Sequence, residues 1–171
     1  MLDSATRKDQ RARLRNWHEK VSVNNVAHMK AAVLCDRYGR GFGVFAAVLA
    51  TFSGATWASD LATAGVPGDV LRWVAAIAGL LGGVLVAVST TMNWPKRAVE
   101  HKTASDKFAK ALFAIETWRV EHADEDTPDD EVINDWKDLI EAAGDKAPIV
   151  GWRAFRNAKR YVAEQPGQRI W

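Results

Sequence analysis

Cysteine is almost missing from this chain: Cys35 stands alone among 171 residues. No intrachain disulfide is possible, and nothing points to an oxidising compartment. Chemistry-bearing constellations are missing too. His18, His28, His101 and His122 have no metal-ligand spacing with one another or with Cys35. No serine or cysteine has a convincing base partner. Gly39, Gly41 and Gly43 resemble a phosphate loop only superficially, because no strand precedes them and no Gly-Lys-Ser/Thr follows. Helix packing at a membrane entrance explains them better. We therefore expect no enzyme, no cofactor and no metal. A cleavable signal peptide is not expected either, since the first apolar run begins at Gly41, behind a charged segment. If inserted, that run acts as an uncleaved anchor. No strand and no internal repeat is predicted.

Charge is missing from two stretches. The chain as a whole is 26% charged with a net charge of +2, which reads as a soluble protein. Residues 41–59 and 73–95 nevertheless contain no Asp, Glu, Lys or Arg, while charge is dense on either side. Such segregation implies two solvents. As helices the runs span roughly 28 Å and roughly 34 Å, against a hydrocarbon core of about 30 Å. Burying two such helices in a soluble core would need more apolar wrapping than this chain has. Tyr38 and Trp94 sit at one end of the pair and Trp57 and Trp73 at the other, as in interfacial aromatic belts. Arg37, Arg40, Lys96 and Arg97 flank one side, whereas the connector 60–72 has only Arg72 among its bases. The positive-inside rule then places both termini in the cytoplasm.

The expected fold is an all-α membrane protein. A two-helix transmembrane hairpin (41–59 and 73–95, joined by the outer loop 60–72) carries cytoplasmic N-terminal (1–40) and C-terminal (96–171) helices that form a helical bundle. Each span has unlike faces. Phe42, Phe45, Leu49 and Phe52 share one side of the first, and Gly43, Ala47, Thr51 and Ala55 another. In the second, Ala75, Gly79, Gly83 and Ala87 form a small-residue stripe apart from Val74, Ile77, Leu81, Leu85 and Val88. Small residues at this spacing let backbones approach closely in lipid. A hairpin buries one such stripe, and the width of the small faces suggests further copies, hence a homo-oligomer. Thr51, Thr90 and Asn93 are the candidate polar lining of a path through that oligomer. The plainer reading is that the hydroxyls bond back to carbonyls of their own helix. No intramembrane charge is present, which argues against a proton relay or a charge-selective filter.

Outside the spans the pattern is helical. Ser4 can cap a helix to about Lys20, carrying Leu14, Trp17 and Val21, and Asn24 or Asn25 can cap a second that runs into the first span. A long helix is expected after Pro95, to about His122, with Ala104, Phe108, Leu112, Ile115 and Trp118 on one face. Thr127-Pro128-Asp129-Asp130 reads as a helix start, for a helix that stops near Gly144. A last basic helix, from about Val150 to Gln165, presents Arg153, Arg156, Lys159 and Arg160 either to anionic lipid or to solvent. The basic residues Arg7 to Arg15 fit juxtamembrane electrostatics better than nucleic-acid binding, so no nucleic-acid partner is expected.

Three short motifs carry a family likeness. They are Ala27-His28-Met29-Lys30-Ala31-Ala32 before the first span, Trp94-Pro95-Lys96-Arg97-Ala98-Val99-Glu100-His101 after the second, and Ala147-Pro148. In this order of parts, over roughly residues 17–158, the chain resembles the SLATT family of bacterial two-transmembrane effector domains. The resemblance implies an inner-membrane effector of bacterial conflict and antiphage systems that forms a pore when activated. It also implies a trigger from a separate sensor or signal-producing protein encoded nearby, such as a nucleotide-signal synthase, since no such domain is fused here. His28 and His101 match positions where the family pattern often has histidine. Both would lie just cytoplasmic of the spans, where they can bond between helices. The rival expectation is a non-conducting anchor or scaffold that recruits a cytoplasmic partner.

Overall fold

A computed structural model of the chain describes residues 4–58, 68–122 and 127–165. Five helices make up nearly all of these: α1 Ser4–Ala58, α2 Gly68–Met92, α3 Trp94–Glu121, α4 Asp130–Gly144 and α5 Trp152–Ala163. No strand occurs among the described residues. The all-helical expectation is met. Most of the connector expected at 60–72, the acidic stretch 123–126 and the last residues 166–171 lie outside the described residues.

The chain divides into two compact units, one of residues 34–96 and one of the flanking segments up to Val33 and from Arg97 onward. The flanking unit is built on an antiparallel pair, the first part of α1 against α3. Its register shows in the core. Leu14 packs with Ile115, and Val21 with Phe108 and Ala111. On α3 the buried positions are His101, Ala104, Ser105, Phe108, Ala111 and Ile115, which recur every three or four residues and line one helix face. α4 adds Trp136 and Ala143 to this core, with Leu139 and Ile140 beside them. Trp136 meets Trp118 edge to face, 5.8 Å between ring centres. α5 closes a third cluster, Ala158 with Val23 and Ala27 of α1.

Two boundaries differ from expectation here. Asn24 and Asn25 start no second helix, for α1 runs through them unbroken. Asn25 is held instead from the side: the Ser105 hydroxyl donates to its Oδ1 at 2.6 Å. A cross-helix partner removes the competition between side chain and backbone that makes asparagine a helix breaker. At α4 the N-cap is Asp129 rather than Thr127, with Asp130 and Glu131 in the first turn. Acids there meet the positive end of the helix dipole.

The other unit pairs the second part of α1 with α2, again antiparallel. The contact runs from Gly39 beside Trp94, through Gly82 against Ala46, Leu49 and Ala50, to Gly79 against Ser53. Ala46, Ala75 and Ala78 are buried in the same seam. α2 begins at Gly68, ahead of the apolar run, so the stretch 68–72 is helix and not loop. The edge of the charge-free run therefore does not mark where the helix starts. α2 ends at Met92, short of the expected Pro95. Asn93 takes a left-handed turn (φ 47°), a conformation asparagine tolerates better than most residues, and α3 restarts at Trp94. Pro95 then sits in the first turn of α3, where its missing N–H costs no helix bond.

Candidate functional site

Among the described residues one helical run, within Arg72–Glu121, is long and apolar enough to cross a membrane, and only 17% of its apolar stretch is buried. A core helix of a soluble protein would be mostly covered. Here Trp73, Ile77, Leu80, Leu81, Val84 and Val86 are all exposed. On the facing stretch of α1, Val44, Phe45, Val48 and Phe52 are exposed as well. The exposed surface of this unit is therefore largely aliphatic and aromatic, with small residues between.

The small residues divide between the seam and the outside. Ala75 is buried and Gly79 would meet the Ser53 hydroxyl at 2.9 Å if it carried a Cβ. Gly83 and Ala87 are exposed, and a Cβ on Gly83 would touch nothing. Gly43, Ala47 and Thr51 are exposed too, with open space around Gly43. The Ala55 side chain lies outside the described residues. A four-residue repeat advances about 40° per step around a helix with 3.6 residues per turn. Over 75, 79, 83 and 87 it therefore walks out of the seam. Gly82 replaces Gly83 at the tight crossing, where its Cβ position lies 3.4 Å from Leu49 Cβ. That role was not among the sequence expectations. The i, i+3 step from Gly79 was the available signal.

The hydroxyls behave in the plain way. Thr51 Oγ1 donates to Ala47 O, Thr90 Oγ1 to Val86 O and Thr91 Oγ1 to Ala87 O, each at 2.8 Å. Thr51 and Thr90 are exposed on their helices, as is Asn93 at the junction. Each threonine satisfies its own donor without a partner helix.

In the flanking unit the structure brings His28 and His101 together. They face each other across α1 and α3, both buried, with Nδ1 to Nδ1 at 3.1 Å. Phe108 stacks on the His28 ring, 5.6 Å between centres. A hydrogen bond between two Nδ1 atoms needs one donor and one acceptor, so one ring at least is neutral. Burial lowers the His28 pKa below its usual 6.5, and the nearby His101 lowers it further. For His101, burial again dominates, Glu100 opposes it, and Arg97 adds to the lowering. His18, to which the sequence assigns no partner, also meets a side chain across the helices. Buried His18 points Nε2 at Glu116 Oε1, 3.4 Å away. The antiparallel register through Leu14 and Ile115 sets His18 opposite Ala111, so Glu116 reaches it from a neighbouring turn and that register alone does not pair the two. No group of three or more metal-type ligands occurs among the described residues.

No family model, curated protein or solved structure matches this chain.

Proposed function

We propose that this chain is a membrane effector of a bacterial antiphage or conflict system. It spans the inner membrane twice as a helical hairpin, with both termini in the cytoplasm, oligomerises with copies of itself and permeabilises the bilayer on a trigger. The observation that carries this reading is the outward placement of small residues on an apolar helix pair: Gly43, Ala47 and Thr51 on α1, Gly83 and Ala87 on α2. In lipid, exposed small faces are where further helices can approach. The resemblance to the SLATT family supplies the biological setting and the nearby sensor or signal producer. The charge-free surface suits a path closed by dewetting rather than by a charged filter.

The test is membrane potential in bacteria on induced expression, with and without the neighbouring genes. Depolarisation that needs the neighbour's signal supports a triggered pore. An inserted protein that never depolarises the cell removes the pore. One observation favours the second reading, a non-conducting anchor that recruits a cytoplasmic partner: the threonine hydroxyls are already satisfied within their own helices. On that reading, Gly83→Leu breaks self-association without changing any toxicity.

A further inference from the structure

The paired-helix unit carries a groove of 460 Å³ lined by Arg37, Tyr38, Gly41, Phe42 and Phe45 of α1 and Leu85 of α2. The α1 residues fall at steps of one, three and four over two turns of helix, about 12 Å of axis. The groove is apolar along its floor, where Gly41 leaves open space. At one end stands a guanidinium. Two arginines lie close together here and differ in one respect. Arg40 is bound to Asp36, Nη2 to Oδ2 at 2.7 Å. Arg37 is exposed and has no hydrogen bond or ion pair among the described residues. Beside it, exposed Tyr38 packs against Trp94, 5.6 Å between ring centres.

We infer that this groove is a binding site for an anionic phospholipid, with its acyl chain on Gly41, Phe45 and Leu85 and its phosphate on Arg37. A purely apolar occupant would leave the free cation without a counter-ion. A free anion would gain nothing from Phe42, Phe45 and Leu85. A molecule with an apolar tail and a net negative head satisfies both ends, and guanidinium binds phosphate oxygens with two parallel donors. A zwitterionic head brings its own cation and competes poorly for Arg37. The site rests on the membrane reading above, because its ligand is a bilayer component.

The experiment uses the full chain, extracted from membranes in detergent and titrated by native mass spectrometry. The probes are phosphatidylglycerol and phosphatidylcholine with identical chains. The unaltered protein retains one phosphatidylglycerol per chain, preferred roughly tenfold or more over phosphatidylcholine. Arg37→Gln brings that ratio near one, and Arg37→Lys restores part of it. Gly41→Leu, whose Cβ lies in open space and whose side chain fills the groove, loses both lipids. A helical, membrane-extracted Arg37→Gln protein with undiminished preference overturns the site while leaving the membrane reading intact. So does a Gly41→Leu protein that keeps its lipid but changes its subunit number, since a second copy would then fill the groove. A chain that appears in the soluble fraction without detergent overturns both.

Discussion

His28 and His101 share one hydrogen bond in a buried contact, and their protonation is tied to folding. Both pKa values are lowered from 6.5 in the folded chain, chiefly by burial. Between the folded and unfolded values the unfolded chain binds more protons, so stability rises with pH there. The pair's contribution is complete above 6.5 and is lost as pH falls through the lowered folded values. Thermal unfolding in detergent between pH 8 and pH 5 should show this loss, with His28→Phe and His101→Phe together flattening it. Changing one histidine alone strands its neighbour. We expect His101→Ala to cost about 1 to 3 kcal/mol at pH 8, the usual penalty for a buried group that loses its partner. Ser22 presents the opposite case. It is buried and its hydroxyl has no hydrogen-bond partner. Ser22→Ala should therefore raise stability by about 1 kcal/mol, read as a higher Tm.

At the scale of elements the decisive contact is the seam between α1 and α2. Gly82→Leu forces a branched side chain against Leu49 and the backbone of Ala46 and Ala50, and should unseat the pair. Gly83→Leu points into open space and should leave the pair intact, changing only contacts with other copies. Crosslinking between a cysteine introduced on each helix separates the two outcomes. In the flanking unit, Trp136→Ala removes a buried indole from the contact with Leu14 and Ile115. A loss of about 3 to 5 kcal/mol is expected, seen as early melting of the helical signal.

The same elements show how much was readable beforehand. The periodic runs were plain, because Ala104, Phe108 and Ile115 recur at helical spacing and all turn out buried. Helix ends were harder. Asn24 and Asn25 looked like a start, and only the cross-helix bond from Ser105 explains why they are not. Which glycine sits in the seam was also hidden. A stripe drawn at every fourth residue reads one helix alone, and Leu49 of α1 selects Gly82 over Gly83.

For the whole molecule, partition is the first question. The long apolar run is mostly uncovered, and Trp73, Ile77 and Leu80 are each more than half exposed. Cell fractionation should place the chain in the membrane pellet, resistant to carbonate and released by detergent. A chain that stays in the supernatant would leave that apolar surface unexplained and remove the proposed effector function. The histidine pair was legible only in part. Positions before the first span and after the second suggested contact between helices. Its 3.1 Å closeness came from the register of the flanking unit, which no single helix contains.

That closeness has a corollary for the two rings when both are neutral. If His28 donates from Nδ1, its Nε2 is bare, and His101 must carry its own proton on Nε2. Reversing the bond changes the tautomer of both rings at once. The chemical form of an imidazole on α1 is thus legible on α3. Nitrogen shifts of one ring, followed by NMR, would report the state of the other.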